Sequence, residues 1–234
     1  MSVPQPVNLK IVVIPVTGFQ QNCSLVFDEQ AKLGAVVDPG GDVDRILEQI
    51  EKHQLTIEKI VLTHGHIDHA GGALTLKERL QSKERSVPIE GPHEADRFLL
   101  QQLAAQGAAY GVLGARDVLP DRWLDEGQEL QIAGASFKIL HCPGHSPGSL
   151  VYVNEAQRFA LMGDVLFRGS IGRTDFPYGD HDALIRAIHE KILPLGDDLV
   201  FICGHGPAST IGAERQDNPY IRSTHARVVT APRP

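Results

Sequence analysis

The sequence predicts an α/β fold built from two related layers, and three observations carry that reading. Short apolar, β-branched runs bounded by turn residues recur along the chain, and helical stripes fall between them. The same succession of strands and helices appears twice, with no linker rich in Pro, Gly or Ser between the halves. One domain over residues 1–234 is therefore expected. At 42% hydrophobic and 22% charged residues in 234, the composition is globular and excludes collagen-like, coiled-coil and disordered classes.

In chain order, Ile11–Ile14, Leu25–Phe27 and Ala35–Val37 read as strands, the third ending at Asp38-Pro39-Gly40-Gly41. A helix is expected from Val43 to Lys52, with Ile46, Leu47 and Ile50 on one face. Ile60–Leu62 is a short strand running into a histidine cluster. From Asp68 to Lys83 the spacing of Ala73, Leu76 and Leu80 is helical. Past Pro88 a helix is expected over His93–Gln106, then a Gly-rich connector through Gly111 and Gly114. In the second half Leu130–Ile132, Phe137–Leu140, Leu150–Val153 and Phe159–Met162 read as strands. A helix from Asp182 to Ile192 stops at Pro194, Leu199–Cys203 is the last strand, and a polar tail from Gly206 packs on the domain.

The formal charge of −7 argues against nucleic acid as a partner, since a phosphate backbone calls for a basic surface. No run approaches the roughly 18 apolar residues of a membrane span. The opening MSVPQPVNLK lacks the pattern of a signal peptide. Three cysteines, an odd count, point to a reduced, cytoplasmic setting without a disulfide framework. Cys142 and Cys203 flank strand ends and are expected to pack in the core rather than act as nucleophiles.

The strongest chemical signal is Thr63-His64-Gly65-His66-Ile67-Asp68-His69, four potential metal ligands within six residues. In extended backbone side chains alternate with period 2, so His64 and His66 can point the same way. Asp68 and His69 lie where the chain turns into a helix and can face a second point nearby. A structural zinc cluster would be rich in cysteine, and this stretch has none. Three further polar residues stand beside glycine after apolar strands: His145 in His141-Cys142-Pro143-Gly144-His145-Ser146-Pro147-Gly148, Asp164 after Gly163, and His205 after Gly204. Strand carboxyl ends are where α/β folds place their sites.

In these motifs and their order the chain resembles the metallo-β-lactamase superfamily over nearly its whole length. The resemblance implies a four-layer αββα sandwich (metallo-β-lactamase fold) with metals at one edge between the sheets. It implies that His64, His66 and His145 hold one metal, that Asp68, His69 and His205 hold the other, and that Asp164 bridges them. Asp38 matches a position that orients a ligand histidine. Within the superfamily, Asn22-Cys23-Ser24-Leu25-Val26, Gly163-Asp164-Val165-Leu166-Phe167 and Gly169-Ser170-Ile171-Gly172-Arg173-Thr174-Asp175-Phe176-Pro177 resemble glyoxalase II-like thioesterases of the small bacterial type. Only 29 residues follow His205, too few for the helical domain that helps hold glutathione in the full-length type.

The expected cofactors are two divalent metal ions, zinc foremost, with iron or manganese accepted by the same His/Asp donors. The expected reaction is cleavage of a small-molecule thioester such as S-lactoylglutathione by a metal-bridging hydroxide, with Asp68 orienting it or accepting its proton. Two rivals stand beside it: a persulfide dioxygenase with one iron on His64, His145 and Asp164, and a non-catalytic metal-binding module. A true β-lactamase fits less well, because no export signal is visible. Arg168, Arg173 and Tyr178 follow the bridging aspartate and are candidates to border the substrate, although Arg173 and Asp175 can equally pair to fix the loop. Arg215, Tyr220 and Arg222 either meet an anionic substrate tail or pack the terminal segment. His53, His93, His181, His189 and His225 have no partner motif and are expected to face solvent. A monomer or small homo-oligomer is expected.

Overall fold

Two mixed β-sheets face one another, and helices cover the outer face of each, in a computed structural model that describes residues 7–83 and 85–222. The first sheet runs in the order β1 (Leu9–Val16), β2 (Gln21–Asp28), β3 (Leu33–Val37), β4 (Thr56–Val61), β5 (Ile89–Glu90). Its first two pairings are antiparallel and its last two parallel. The second comprises β6 (Glu129–Ile132), β7 (Ala135–His141), β8 (Leu150–Asn154), β9 (Phe159–Gly163), β12 (Val200–Cys203) and β13 (Ser209–Thr210). Only the β9–β12 pair is parallel there. A small ribbon of β10 (Leu166–Phe167) and β11 (Ser170–Ile171) stands apart.

Alternation along the strands creates the layers. Val26, Ala35, Val37 and Val61 of the first sheet pack against Phe137, Ile139, Tyr152 and Leu161 of the second. The intervening residues Leu25, Phe27, Val36 and Ile60 point outward beneath α1 (Val43–His53) and α3 (Ala73–Leu80), meeting Ile46, Ile50 and Leu76. On the far side Val151, Val153 and Met162 meet Leu184 of α6 (His181–Ala187) and Ile188 and Ile192 of the turn that follows. Central strands buried on both faces read as continuous apolar runs, which is how the sequence presents them. Each such side chain contributes roughly 1.5–3 kcal/mol by area removed from water. This is the αββα arrangement that the resemblance implies.

Several elements depart from expectation. The helix expected over 68–83 is two helices, α2 (Ile67–Ala70) and α3, broken at Gly71-Gly72 where Gly72 N donates to Pro39 O at 2.9 Å. The segment 93–106 is a 3-10 turn at Glu94–Asp96, then α4 (Arg97–Leu100) and α5 (Leu103–Tyr110). The helix expected to end at Ile192 loosens after Ala187 into a wide π-turn. The described part of the polar tail carries α7 (Ile211–Asp217) and α8 (Pro219–Arg222), and His225 lies outside the described residues. Among the described residues no helix is long and apolar enough to cross a membrane.

Candidate metal centre

The chain leaves β4, β9 and β12 at the same edge of the sandwich, and the loop from β7 to β8 folds over that edge. His64, His66, Asp68 and His69 follow β4, His145 lies in the β7–β8 loop, Asp164 follows β9, and His205 follows β12. Asn22 on β2 braces the last of these across the sheets: its Nδ2 donates to Cys203 O at 3.0 Å and Gly206 O at 2.8 Å.

His64, His66 and His145 form one donor group. His66 Nδ1 lies 3.0 Å from His64 Nε2 and 2.9 Å from His145 Nε2. Asp68, His69 and His205 form a second group, with His205 Nε2 3.2 Å from Asp68 Oδ2. Asp164 lies between them, Oδ1 3.3 Å from His69 Nε2 and Oδ2 3.4 Å from His145 Nε2 and 3.5 Å from His205 Nε2. Asp38, His64 and His69 also cluster, but the Asp38 oxygens are already engaged by Thr63 and His69.

Hydrogen bonds on the outer side of the rings fix which nitrogen faces inward. His145 Nδ1 can only donate to the Arg173 carbonyl, at 2.8 Å, which leaves Nε2 a lone pair. Thr63 Oγ1 gives its one proton to Asp38 Oδ2 at 2.6 Å, so it must accept from His64 Nδ1 at 3.1 Å. His64 Nε2 is then a lone pair as well. His66 Nε2 pairs with the Tyr178 hydroxyl at 2.8 Å. His66 Nδ1 thus stands 3.0 and 2.9 Å from two imidazole lone pairs, and a cation among the three nitrogens would engage all of them.

The other half of the site gives the same answer. His69 Nε2 and Asp164 Oδ1 are buried and face each other at 3.3 Å without the alignment of a hydrogen bond, and among the described residues neither has another hydrogen-bond partner. Burial acts to lower the His69 pKa, yet Asp164, Asp38 and Asp68 outweigh it and raise it well above the usual value. Burial acts to raise Asp164, but His69, His145 and His205 hold its carboxyl far below the usual range. Carboxylates that favour positive charge, beside imidazole lone pairs and buried unpartnered donors, are the chemistry of a divalent-cation site. Gly204 is required there, because a Cβ would collide with Asp164 Oδ1 and stand 2.6 Å from His69 Cε1.

Beside the two groups opens a cleft of about 610 Å³. Its wall is aromatic: Phe176 stacks on Tyr178 at 5.3 Å, Phe98 meets Tyr178 edge-on, and Phe19 meets Tyr110 edge-on. Arg173 lines the cleft, but it is held bidentately by Asp175 at 2.7 and 2.9 Å and lies 4.4 Å over the Phe176 ring. Arg168 is exposed and outside the cleft lining. Arg215 binds Asp197 and Leu193 O, which packs the terminal segment. His53 and His93 are half-buried, His53 against Phe27 and His93 stacked on His141, and His189 is also half-buried. Of these, His181 alone is exposed. All three cysteines are buried and reduced, with burial pushing Cys142 up to about 12 and Cys203 to about 11. Tyr178 of the aromatic wall is where the sequence placed it, bordering the cleft, whereas Phe19, Phe98, Tyr110 and the buried Asp96 carry no sequence signal. They are assembled by tertiary contact.

A helix–sheet–sheet–helix sandwich with paired His/Asp donor groups at one edge defines a class of metal-dependent proteins. The Metallo-beta-lactamase superfamily model matches residues 16–205, and the chain belongs to that superfamily. It is 45% identical to hydroxyacylglutathione hydrolase GloC of Haemophilus influenzae over 216 residues, covering 92% of this chain and 99% of the relative. Among solved structures it is similar to BLEG-1 B3 metallo-beta-lactamase, with 35% identity, a TM-score of 0.80 and coverage of 91% and 99%. It is also similar to TTHA1623, solved in a di-iron-bound form, with 32% identity, a TM-score of 0.78 and coverage of 89% and 99%.

Proposed function

We propose that the chain is a metal-dependent hydrolase that cleaves thioesters of a small thiol, with hydroxyacylglutathiones as the substrate class. The observation that carries this reading is the pair of three-donor groups facing each other across Asp164 at the floor of the aromatic cleft. Similarity to the Haemophilus influenzae hydrolase over nearly the full length of both chains supports the substrate class.

Bound divalent ions supply Lewis acidity and, by lowering the pKa of coordinated water toward about 7, hydroxide at neutral pH. His64, His66 and His145 would hold one ion and Asp68, His69 and His205 the other, with Asp164 facing both. Tyr178, Asp38, Thr63 and the Arg173 carbonyl keep the rings oriented through their outer nitrogens. Asp68, half-buried and 3.2 Å from His205, lies on the cleft lining; burial acts to raise its carboxyl but His69 and His205 hold it below the usual range, so it stays ionised and can orient the attacking water. Phe98, Phe176 and Tyr178 exclude water from the reacting carbonyl, and Gln102 and Gln106 offer amide groups to the polar parts of the substrate. A one-iron dioxygenase on His64, His145 and Asp164 would leave His66, Asp68, His69 and His205 without use.

The test is metal quantification of the purified protein coupled to an S-lactoylglutathione hydrolysis assay. Two ions per chain are expected, with hydrolysis lost on chelation and restored by the metal. A fully loaded chain that leaves thioesters intact, or one that binds a single iron and consumes oxygen with glutathione persulfide, overturns the reading.

A further inference from the structure

Outside the donor groups, Asp96 is, among the described residues, the one carboxylate with no exposure to solvent. It stands on the turn before α4, and its three hydrogen bonds reach two different ligand loops. Oδ2 accepts from Gly65 N at 2.8 Å and from Ser146 Oγ at 2.7 Å, and Oδ1 accepts from Gly148 N at 2.5 Å. Gly65 sits between His64 and His66, and Ser146 follows His145. The first loop leaves one sheet and the second belongs to the other.

The packing is specific to this carboxylate. A Cβ on Gly148 would lie 2.6 Å from Asp96 Cγ, and a Cβ on Gly65 would lie 3.2 Å from Asp96 Cβ and 2.9 Å from Leu99 Cβ. Both loops therefore bring bare backbone against the Asp96 turn. Among the described residues, the hydrogen bonds to its side chain all come from these two loops, and none from the segments carrying Asp68, His69 or His205.

We infer that Asp96 is a positioning residue that ties the His64–His66 loop to the His145 loop across the two sheets, setting the spacing of the three-histidine group and not that of its neighbour. The inference rests on the reading that both groups hold metal ions. Asparagine keeps the shape of Asp96 but cannot accept at both oxygens. With its amide turned to Ser146 Oγ, Asp96→Asn faces the Gly65 N–H with another donor and leaves that N–H unpaired.

The experiment titrates metal-free protein with Zn²⁺ against a chromophoric chelator, in two backgrounds. In His205→Ala chains, which keep the three-histidine group, Asp96→Asn is expected to weaken zinc binding roughly 10- to 100-fold. In His64→Ala chains, which keep the other group, the same change is expected to shift binding less than about two-fold. Ser146→Ala, which removes one of the three bonds, should give a smaller loss confined to the first background, and it carries the test if Asp96→Asn does not fold. Equal losses in both backgrounds mark a general structural role and overturn the proposal, as does unchanged affinity in both. If the unsubstituted chain binds no zinc, the metal reading itself falls and the proposal with it.

Discussion

Asp38 Oδ2 accepts from His69 Nδ1 at 2.8 Å, the shorter of two contacts at that nitrogen, and with it His69 Nε2 faces Asp164. Asp38 is itself in the left-handed region at φ 52, a conformation uncommon for a residue with a side chain. It is held there while its carboxylate also takes Thr63 N and Thr63 Oγ1. Asp38→Ala frees His69 to rotate and leaves Thr63 N without an acceptor. Metal affinity is expected to fall roughly 10- to 100-fold with activity following it, measured by chelator competition and thioester hydrolysis. Wild-type affinity in a folded Asp38→Ala chain would remove this role.

Tyr178→Phe separates two contributions of one side chain. It deletes the hydroxyl on His66 Nε2 but keeps the ring stacked on Phe176. A hydrogen bond of about 0.5–1.5 kcal/mol corresponds to roughly a 2- to 10-fold fall in kcat with KM nearly unchanged. Tyr178→Ala also opens the aromatic wall and is expected to raise KM. Steady-state kinetics of the two variants distinguishes the effects.

Tyr152 is fully buried, and its hydroxyl donates to Leu62 O at 2.6 Å, one residue before the metal-binding motif. Tyr152→Phe leaves the packing and removes the bond, so a loss of about 1–3 kcal/mol is expected. Urea unfolding of the metal-free protein reads it as a lower midpoint at constant m-value.

Burial pushes Asp96 up to about 6, against the bonds from Ser146, Gly65 and Gly148 that lower it. His93 and Tyr178 are titratable groups coupled to it. Because the folded value lies above the unfolded one, the native state keeps a proton between about pH 4 and 6 that the unfolded chain has released. That contribution is present below about pH 4 and lost as pH rises through 6, a change of about 3 kcal/mol. Asp96→Asn has no such proton. The stability difference between it and wild-type metal-free protein is expected to change over this window, and identical pH profiles from urea titrations would rule the account out.

The seven clustered His and Asp residues were legible because their identities and spacing, five of them beside a glycine, depend on local chain alone. The strands of the sandwich were legible because Val36, Val37, Val151 and Tyr152 are apolar on both faces. What escaped depends on distant chain. The break at Gly71-Gly72 exists because backbone docks on the Pro39 turn, where a helical stripe alone predicts continuity. The pairs at β5, β10 and β13 are two residues long, too short for periodicity to register. Arg173 reads from sequence as a substrate contact or a loop brace. Its bidentate bond to Asp175 supports the brace, while its position still borders the cleft.

The donors are divided between the two sheets: four lie within residues 64–69, and the others arrive with the second half of the chain. Neither half, produced as a separate fragment, could bring together either His64, His66 and His145 or Asp68, His69 and His205. Any cation held there would therefore bind only once one sheet has closed on the other, and a chelator added during refolding should weaken that closure while leaving strand pairing within each sheet intact.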